Sequence, residues 1–495
     1  MSPKHTLNLR NQQPICSIIS LGCPKNLIDS EIMVGKMLEA GFRFQEKTDN
    51  ADVVILNTCG FLHDARSEAR EILELLIKEK NAGRMRKIVV AGCAVQVERE
   101  KLQEMFPAVD FWFGIFDEFQ PEKLKNQNAE HRTQNNTESD TLQLQSFLPS
   151  TSHQSPCAIL PPLASAFPLR HQLTFPHVAY LKIAEGCSRH CAYCLIPKIR
   201  GKYISRSKIE ILDEAKRLAD NGVREMIVIA QETNFWGMDT VGKPELAWLL
   251  AELQEICGIE WLRLMYTYPA YFSEELIELF ASGGKLLPYI DMPLQHSHDT
   301  ILRNMNRKVT RAETEELLGK LRERIPHLVM RTSLITGFPG ETDAMFEDLL
   351  AFTDKQQFER AGVFRYSREE GTAAAEMPDQ IDAAVKEKRY ARLYELTEQL
   401  TRNWAVRQIG KRLNVLIDQP ECDKRGRPIR GVWVGRTYAD APTIDPVVIV
   451  TEQSAAPKHK TLKKKENASH SIQAGLVISC EIITTDGVNL IAVPD

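Results

Sequence analysis

Apolar and polar positions divide the chain into stretches of distinct texture. Over 13–120, short apolar runs alternate with helical patterns. The runs at 15–21, 52–57 (DVVILN) and 87–91 (KIVVA) read as strands. Between them, 29–40 carries Ile32, Met33 and Leu38 at helical spacing and ends at Gly41, and 65–79 aligns Ala69, Ile72, Leu75 and Leu76 on one face. Strands that alternate with helices predict a parallel α/β sheet. The texture changes over 121–172, first polar and aperiodic, then rich in Ser and Pro. Such a segment buries too little apolar surface to offset its ordering entropy, so it reads as a flexible linker or insertion.

Alternation returns over 173–405. VAYLKIA, EMIVIA, WLRLMY, YIDMPL, LVMRTSLITG and AGVFRYS read as strands with helical patterns between most of them. Ser207 with Glu210 forms a capping-box pattern ahead of a helix closed by Gly222. About six β/α units are enough for a barrel or most of one. A helical stretch, 382–409, leads out. From 406 to 495 short strands and turns (LNVLIDQ, GVWVGRT, PVVIVT, GLVISCEIITTD, NLIAVP) predict a small all-β barrel, interrupted by a basic insert at 453–470. The expected fold class is α/β: an N-terminal parallel-sheet domain, a central partial (β/α) barrel and a C-terminal small all-β barrel.

Composition narrows the chemistry. At 495 residues the chain has room for about three domains. With 43% hydrophobic and 26% charged residues it has the balance of a globular protein. A formal net charge of -4 gives no field for non-selective nucleic-acid binding. Eleven cysteines, an odd number scattered through a long chain, do not form the pattern of a disulfide-stapled secreted scaffold. No signal-like start and no run of about 18 apolar residues is found, so a cytoplasmic protein without a membrane span is expected. In a reducing compartment, clustered cysteines point to metal or catalysis.

The densest cluster is Cys187-Ser-Arg-His-Cys191-Ala-Tyr-Cys194, directly after a strand. Thiolates suit zinc or iron–sulfur clusters. A structural zinc wants a fourth ligand, which His190 could supply, but this spacing is uncommon for zinc. Three cysteines on a [4Fe–4S] cluster leave one iron open. Cys23 (SLGCPKN), Cys59 (NTCGF) and Cys93 (AGCAV) each follow one of the first three strands. Parallel strands end on one edge of their sheet, so these thiols should converge there as a second three-cysteine set. Gly22, Gly60 and Gly92 beside them would leave room for a bulky cofactor. The rival reading is three buried cysteines acting as small hydrophobes. Cys16, Cys257 and Cys480 read as buried structural thiols, and Cys157 and Cys422 as exposed ones.

The motif CSRHCAYC resembles that of the radical S-adenosylmethionine superfamily, whose open iron binds the cofactor's amino and carboxylate groups. GFPGE follows a strand as that superfamily's adenosylmethionine loop does, which implies contacts from Gly337, Phe338, Pro339, Gly340 and Glu341. Gln231, Glu232 and Gln295 stand at strand C-terminal ends, where barrel enzymes place their chemistry. Each has a rival reading as a loop hydrogen-bonder. With SLGCPKN, NTCGF and AGC ahead of CSRHCAYC and a small barrel behind, the chain resembles the methylthiotransferase family, whose barrel is an OB-like TRAM domain. One branch of that family modifies an adenosine of tRNA. The other modifies an aspartate of ribosomal protein S-twelve, and SLGCPKNLIDSE, AYLKIAEGC, FRYSREEGTAAAEMPDQ and GRTYADAPTID resemble that branch.

Asp440 and Asp445 in GRTYADAPTID are expected to meet a basic ribosomal-protein tail by charge complementarity, or else to serve turns. The resemblance implies two [4Fe–4S] clusters facing one cavity and S-adenosylmethionine used twice, once to methylate a sulfur and once to supply the radical. It also implies a reductant protein of flavodoxin or ferredoxin type, with the chain acting as a monomer. The insert, with Lys458, Lys460, Lys463, Lys464 and Lys465, reads as a solvated loop or a contact to ribosomal RNA. The rival functions are tRNA modification and a non-catalytic iron–sulfur assembly or regulatory role.

Overall fold

The computed structural model describes residues 13–125, 170–452 and 472–495. Cys157, most of the linker and the basic insert lie outside the described residues. The chain forms two compact units. One holds the described residues through Leu173 together with Leu195–Gly201. The other holds Thr174–Cys194 and Lys202–Asp495. Among the described residues no helix is long and apolar enough to cross a membrane.

The first unit is a five-stranded parallel sheet in the order β2-β1-β3-β4-β5, with β1 Ile15–Ser20, β2 Arg43–Phe44, β3 Val53–Thr58, β4 Lys87–Gly92 and β5 Phe111–Phe113. β3 is buried along its whole length, as a central parallel strand covered on both faces must be. Helices α1 Pro24–Glu39, α2 His63–Asn81 and α3 Cys93–Met105 follow β1, β3 and β4. β2 and β5 are too short to stand out as apolar runs. α1 begins earlier than its apolar spacing predicts. Pro24 occupies its first turn, and its inner face opens with buried polar residues, Asn26, Ser30 and Glu31, which hide the helical period.

Both ends of the predicted linker are docked rather than loose. Leu124 and Leu173 pack into the sheet's apolar core. The Arg170 guanidinium donates to Glu31 at 2.5 Å, and the Leu173 amide donates to the other carboxylate oxygen at 2.8 Å.

The second unit holds a six-stranded parallel sheet in the order β13-β12-β11-β10-β9-β6. Its strands are β6 Val178–Lys182, β9 Glu225–Ile229, β10 Trp261–Leu264, β11 Leu286–Asp291, β12 Val329–Thr336 and β13 Arg360–Arg365. A two-stranded ribbon, β7 Ala184–Glu185 with β8 Ile204–Ser205, flanks the loop after β6. The capping box at Ser207 and Glu210 is formed and starts the helix Lys208–Asp220. After the helix Ala383–Val406 comes a closed barrel in the order β14-β15-β16-β18-β17, with β14 Arg412–Cys422, β15 Pro428–Arg436, β16 Val448–Thr451, β17 Val477–Asp486 and β18 Asn489–Pro494. The fold class is the one the sequence predicts.

A belt of buried charge joins barrel to sheet within this unit. Glu225, the first residue of β9, accepts from Arg263 at 2.7 Å and from Arg436 at 2.5 Å. Arg436 also makes a two-pronged contact with Asp418 at 2.7 and 2.8 Å, and His177 reaches the same carboxylate at 3.0 Å. Burial works against ionising Asp418, yet Arg436 and His177 hold its carboxyl below the usual range.

Asp440 and Asp445 belong to this belt, which corrects their assignment to a substrate surface. Asp440 is 2% exposed, accepts from Arg360 at 2.7 Å and caps a turn through the Thr437 hydroxyl at 2.6 Å. Asp445 accepts from the Tyr289 hydroxyl at 2.6 Å and from the Ala441 amide at 2.9 Å, with Arg331 at 3.4 Å. A buried carboxylate persists only when paired, so these acids fasten the barrel and are not free to read a basic tail.

Candidate functional site

In the first unit the chain leaves the C-terminal edge of the sheet through each of three cysteines. Cys23 is the N-cap of α1 and Cys93 the first residue of α3, while Cys59 lies between β3 and α2. Helix N-termini carry partial positive charge, which favours thiolates there. Cys23 is exposed, Cys59 half-buried and Cys93 buried, and the three thiols sit near enough to repel one another's ionisation. Burial pushes the Cys93 thiol up to about 11, partly opposed by Arg200, and raises Cys59 as well.

The flanking glycines do a different job from the one expected of them. A Cβ on Gly22 would stand 2.8 Å from the Cys59 Cβ, and one on Gly60 would stand 2.5 Å from the Cys93 carbonyl carbon. A Cβ on Gly92, at φ +98°, would stand 2.2 Å from the Asn57 side-chain oxygen. The space is therefore filled by the neighbouring loop, and the glycines let the three ligand loops close on one another. Two asparagines that sequence reasoning missed lock the arrangement. Asn26 donates to the Leu21 carbonyl at 2.6 Å, and Asn57 donates to the Asn26 carbonyl at 2.8 Å and to the Ser30 hydroxyl at 2.7 Å. Their position inside SLGCPKN and NTCGF was the available signal.

In the second unit Cys187, Cys191 and Cys194 share the loop after β7, and all three are half-buried. The Arg189 amide donates to the Cys187 sulfur at 3.4 Å, and the Cys194 amide to the Cys191 carbonyl at 3.0 Å. Burial pushes Cys187 up to about 11. The loop is tied from outside: the Ala192 amide to the Met305 carbonyl at 2.9 Å, the Asn306 side chain to the His190 carbonyl at 2.7 Å, and the Ala374 amide to the Ala192 carbonyl at 2.8 Å. His190 is exposed. Arg189 and Arg307 both lie over the Tyr268 ring, at 3.4 and 4.3 Å from its centre.

The other sequence-predicted residues divide by what they already hold. Glu232 is 4% exposed and grips Arg189 through both oxygens at 2.6 and 2.5 Å, so it anchors the ligand loop itself. Glu341 accepts from the Gly337 amide at 2.6 Å and from Arg389 at 3.0 Å, fixing the shape of GFPGE. Burial raises its pKa despite Arg389. The Phe338 ring is fully buried against Tyr366. The Gly340 amide donates to the Asp379 carbonyl at 3.0 Å. Gln295 adopts φ +75° and bridges to β12 through its own amide and carbonyl, at 2.8 and 2.7 Å. Gln231 donates to Glu185 at 3.2 Å, while its side-chain oxygen is buried without a partner. Thr336 at the end of β12 likewise carries a buried hydroxyl without a hydrogen-bond partner, and the His296 Nε2, which also makes no hydrogen bond, stands 3.8 Å from the Glu341 carboxylate. Buried polar atoms left without partners at the C-terminal ends of strands fit a polar cofactor such as S-adenosylmethionine.

Among the described residues no three His, Cys, Asp or Glu side chains are arranged around a single metal ion. Each set consists of three thiols, whose thiolates are soft donors of the kind that iron–sulfur clusters take. Of the remaining cysteines, Cys16 and Cys480 are buried, and burial pushes each up to about 12. Cys422 is exposed. Cys257 is exposed too, which corrects its reading as a core thiol: it sits in the turn after the helix Leu246–Gln254, between the core residues Ile256 and Ile259.

Three family models match the chain: the radical SAM superfamily over residues 181–353, the uncharacterized protein family UPF0004 over 16–114 and the TRAM domain over 409–494. The ribosomal protein uS12 methylthiotransferase RimO of Desulforamulus reducens is 39% identical over 439 residues, covering 88% of this chain and 93% of that protein. That of Pelotomaculum thermopropionicum is 40% identical over 428 residues, covering 86% and 91%. Identity at this level across both units shows the family. The chain belongs to the RimO family of ribosomal protein uS12 methylthiotransferases.

Proposed function

We propose that the chain is a cytoplasmic radical S-adenosylmethionine enzyme that attaches a methylthio group to the β-carbon of an aspartate in ribosomal protein uS12. The observation that carries this reading is the pair of three-thiol sets, each held at the C-terminal edge of its own parallel sheet. Bound there, two [4Fe–4S] clusters with S-adenosylmethionine would supply one-electron reduction, hydrogen abstraction from an unactivated carbon and the sulfur and methyl group of the product.

The protein's own residues bind and orient. Cys187, Cys191 and Cys194 hold one cluster, and Arg189 clamped by Glu232 fixes their loop. Cys23, Cys59 and Cys93 hold the other. Gln231, Gln295 and the backbone of Gly337, Pro339 and Gly340 contact S-adenosylmethionine. Phe338 and Glu341 shape that loop, with Arg389 keeping the Glu341 carboxylate in place. Two S-adenosylmethionine molecules are consumed per product, and a flavodoxin or ferredoxin supplies electrons to the monomer.

The deciding experiment is mass spectrometry of uS12 and of tRNA from a strain lacking the gene. Loss of the methylthio mass from uS12 is the expected result. Unchanged uS12 with a tRNA adenosine lacking its methylthio group would reject the proposal in favour of the tRNA branch. A purified, reduced enzyme that releases no 5′-deoxyadenosine from S-adenosylmethionine would point instead to a non-catalytic iron–sulfur role.

A further inference from the structure

We infer that Arg200 is a positioning residue for the cluster on Cys23, Cys59 and Cys93 and that it raises that cluster's reduction potential. The inference rests on the cluster reading above and goes beyond it, because Arg200 is no ligand and belongs to neither cysteine motif.

Arg200 closes a short helix, α4 Ile196–Arg200, that begins directly after the CSRHCAYC loop yet packs in the first unit. Leu195 and Ile199 form one apolar cluster with Cys93. That packing delivers the next side chain to the thiols. Arg200 is 2% exposed, and its Nη2 donates to the Asp29 carboxylate at 2.7 Å and to the Cys93 sulfur at 3.5 Å. The guanidinium thus lies buried against one of the three proposed ligand sulfurs. A guanidinium taken out of water is therefore spent at one of the two places where thiolates are required.

The physical consequence follows from charge. A cluster on three thiolates gains negative charge when it is reduced by one electron. A fixed cation in a low-dielectric site, donating to a ligand sulfur, stabilises the reduced state more than the oxidised one. Asp29 partly offsets this, so the two side chains set the potential in opposite directions. Asp29 is the milder position to alter, because its side chain is 22% exposed.

The test uses the full-length, reconstituted protein in which Cys187, Cys191 and Cys194 are all replaced by Ala, so that one cluster gives the whole signal. Its midpoint potential is read by a dye-mediated redox titration followed by electron paramagnetic resonance. Arg200→Met should shift the midpoint to a more negative value at unchanged iron content. Arg200→Lys, which keeps the charge, should shift it less. Asp29→Asn should shift it the other way. An unmoved midpoint in Arg200→Met at full iron content overturns the proposal. If Arg200→Met fails to load iron, Asp29→Asn decides: a positive shift supports the proposal, and no shift or a negative one overturns it. Absence of iron from the parent triple variant would instead overturn the cluster reading, and this proposal with it.

Discussion

The two thiol sets are built in opposite ways. Cys187, Cys191 and Cys194 lie on one loop, and the rest of the second unit only steadies that loop through Met305, Asn306, Ala374 and Glu232. Cys23, Cys59 and Cys93 follow three different strands and meet only once β1, β3 and β4 are paired in register. The first is a local motif held by its surroundings. The second is a property of a folded sheet. A local set should therefore survive damage that scatters a non-local one, and a non-local set should report on the integrity of its sheet.

The strongest way to break this comparison is to remove each set in turn. Anaerobic reconstitution should load about eight iron atoms per chain, and replacing Cys187, Cys191 and Cys194 by Ala should leave about half. S-adenosylmethionine cleavage should disappear completely in that variant and persist when Cys23, Cys59 and Cys93 are replaced instead. A fall to no iron when Cys23, Cys59 and Cys93 are replaced would show that the local set does not load on its own.

A subtler lesion tests the non-local character of the first set. Gly92→Ala touches no ligand, but it forces a side chain onto φ +98° and into the Asn57 side chain and Thr58 backbone. Strain and overlap together should cost about 3 kcal/mol or more. Iron on the first set should drop severely while S-adenosylmethionine cleavage stays near the unaltered rate. Equal loss at both sets, read by Mössbauer spectroscopy, would count against a sheet-specific effect.

The local set has its own lever. Glu232→Ala leaves Arg189 without its carboxylate in a largely buried position, and breaking such a pair costs about 3 kcal/mol. The ligand loop should loosen, and cleavage of S-adenosylmethionine should slow by about tenfold or more with iron on the first set unchanged. An unchanged cleavage rate would mean that the loop is held by its backbone ties alone.

The smallest effect is a pH dependence in the second unit. Burial, aided by the nearby His298, pushes His296 down to about 3. An unfolded histidine takes up a proton below about pH 6.5, whereas the folded one resists it down to about 3. Stability from this residue is thus complete above pH 6.5 and is lost below it by up to about 1.4 kcal/mol per pH unit. Urea midpoints measured from pH 7.5 to 5.5 should fall less steeply in His296→Gln than in the unaltered protein. Identical slopes would remove His296 as the source.

The same contrast explains what could be read in advance. Strand runs such as VVIL at 53–56 and the capping box at Ser207 were legible because burial and capping act over a few neighbouring residues. The start of α1 was hidden because its inner face carries polar Asn26, Ser30 and Glu31, whose partners lie on other elements. For Asp440 and Asp445 the turn reading holds and the substrate-surface reading fails for a related reason: an acid in a turn looks the same in sequence whether it faces solvent or an arginine on a distant strand. Cys257 looked like a core thiol because the helix before it is apolar, although the chain has already turned outward there.

By itself the sequence determined the parallel α/β pattern, the closing β barrel, the spacing of CSRHCAYC and the placement of three more cysteines after three strands. Each is a local regularity, and topology then requires parallel strands to end on one edge. Only the tertiary structure decided which charges are buried and what pairs them. It placed Arg200 beside Cys93, turned Asp440 and Asp445 inward onto Arg360, Arg331 and Tyr289, and committed Glu232 and Glu341 to arginines. The reason is physical: a buried charge is tolerated only where its partner also arrives, and those partners lie far away along the chain.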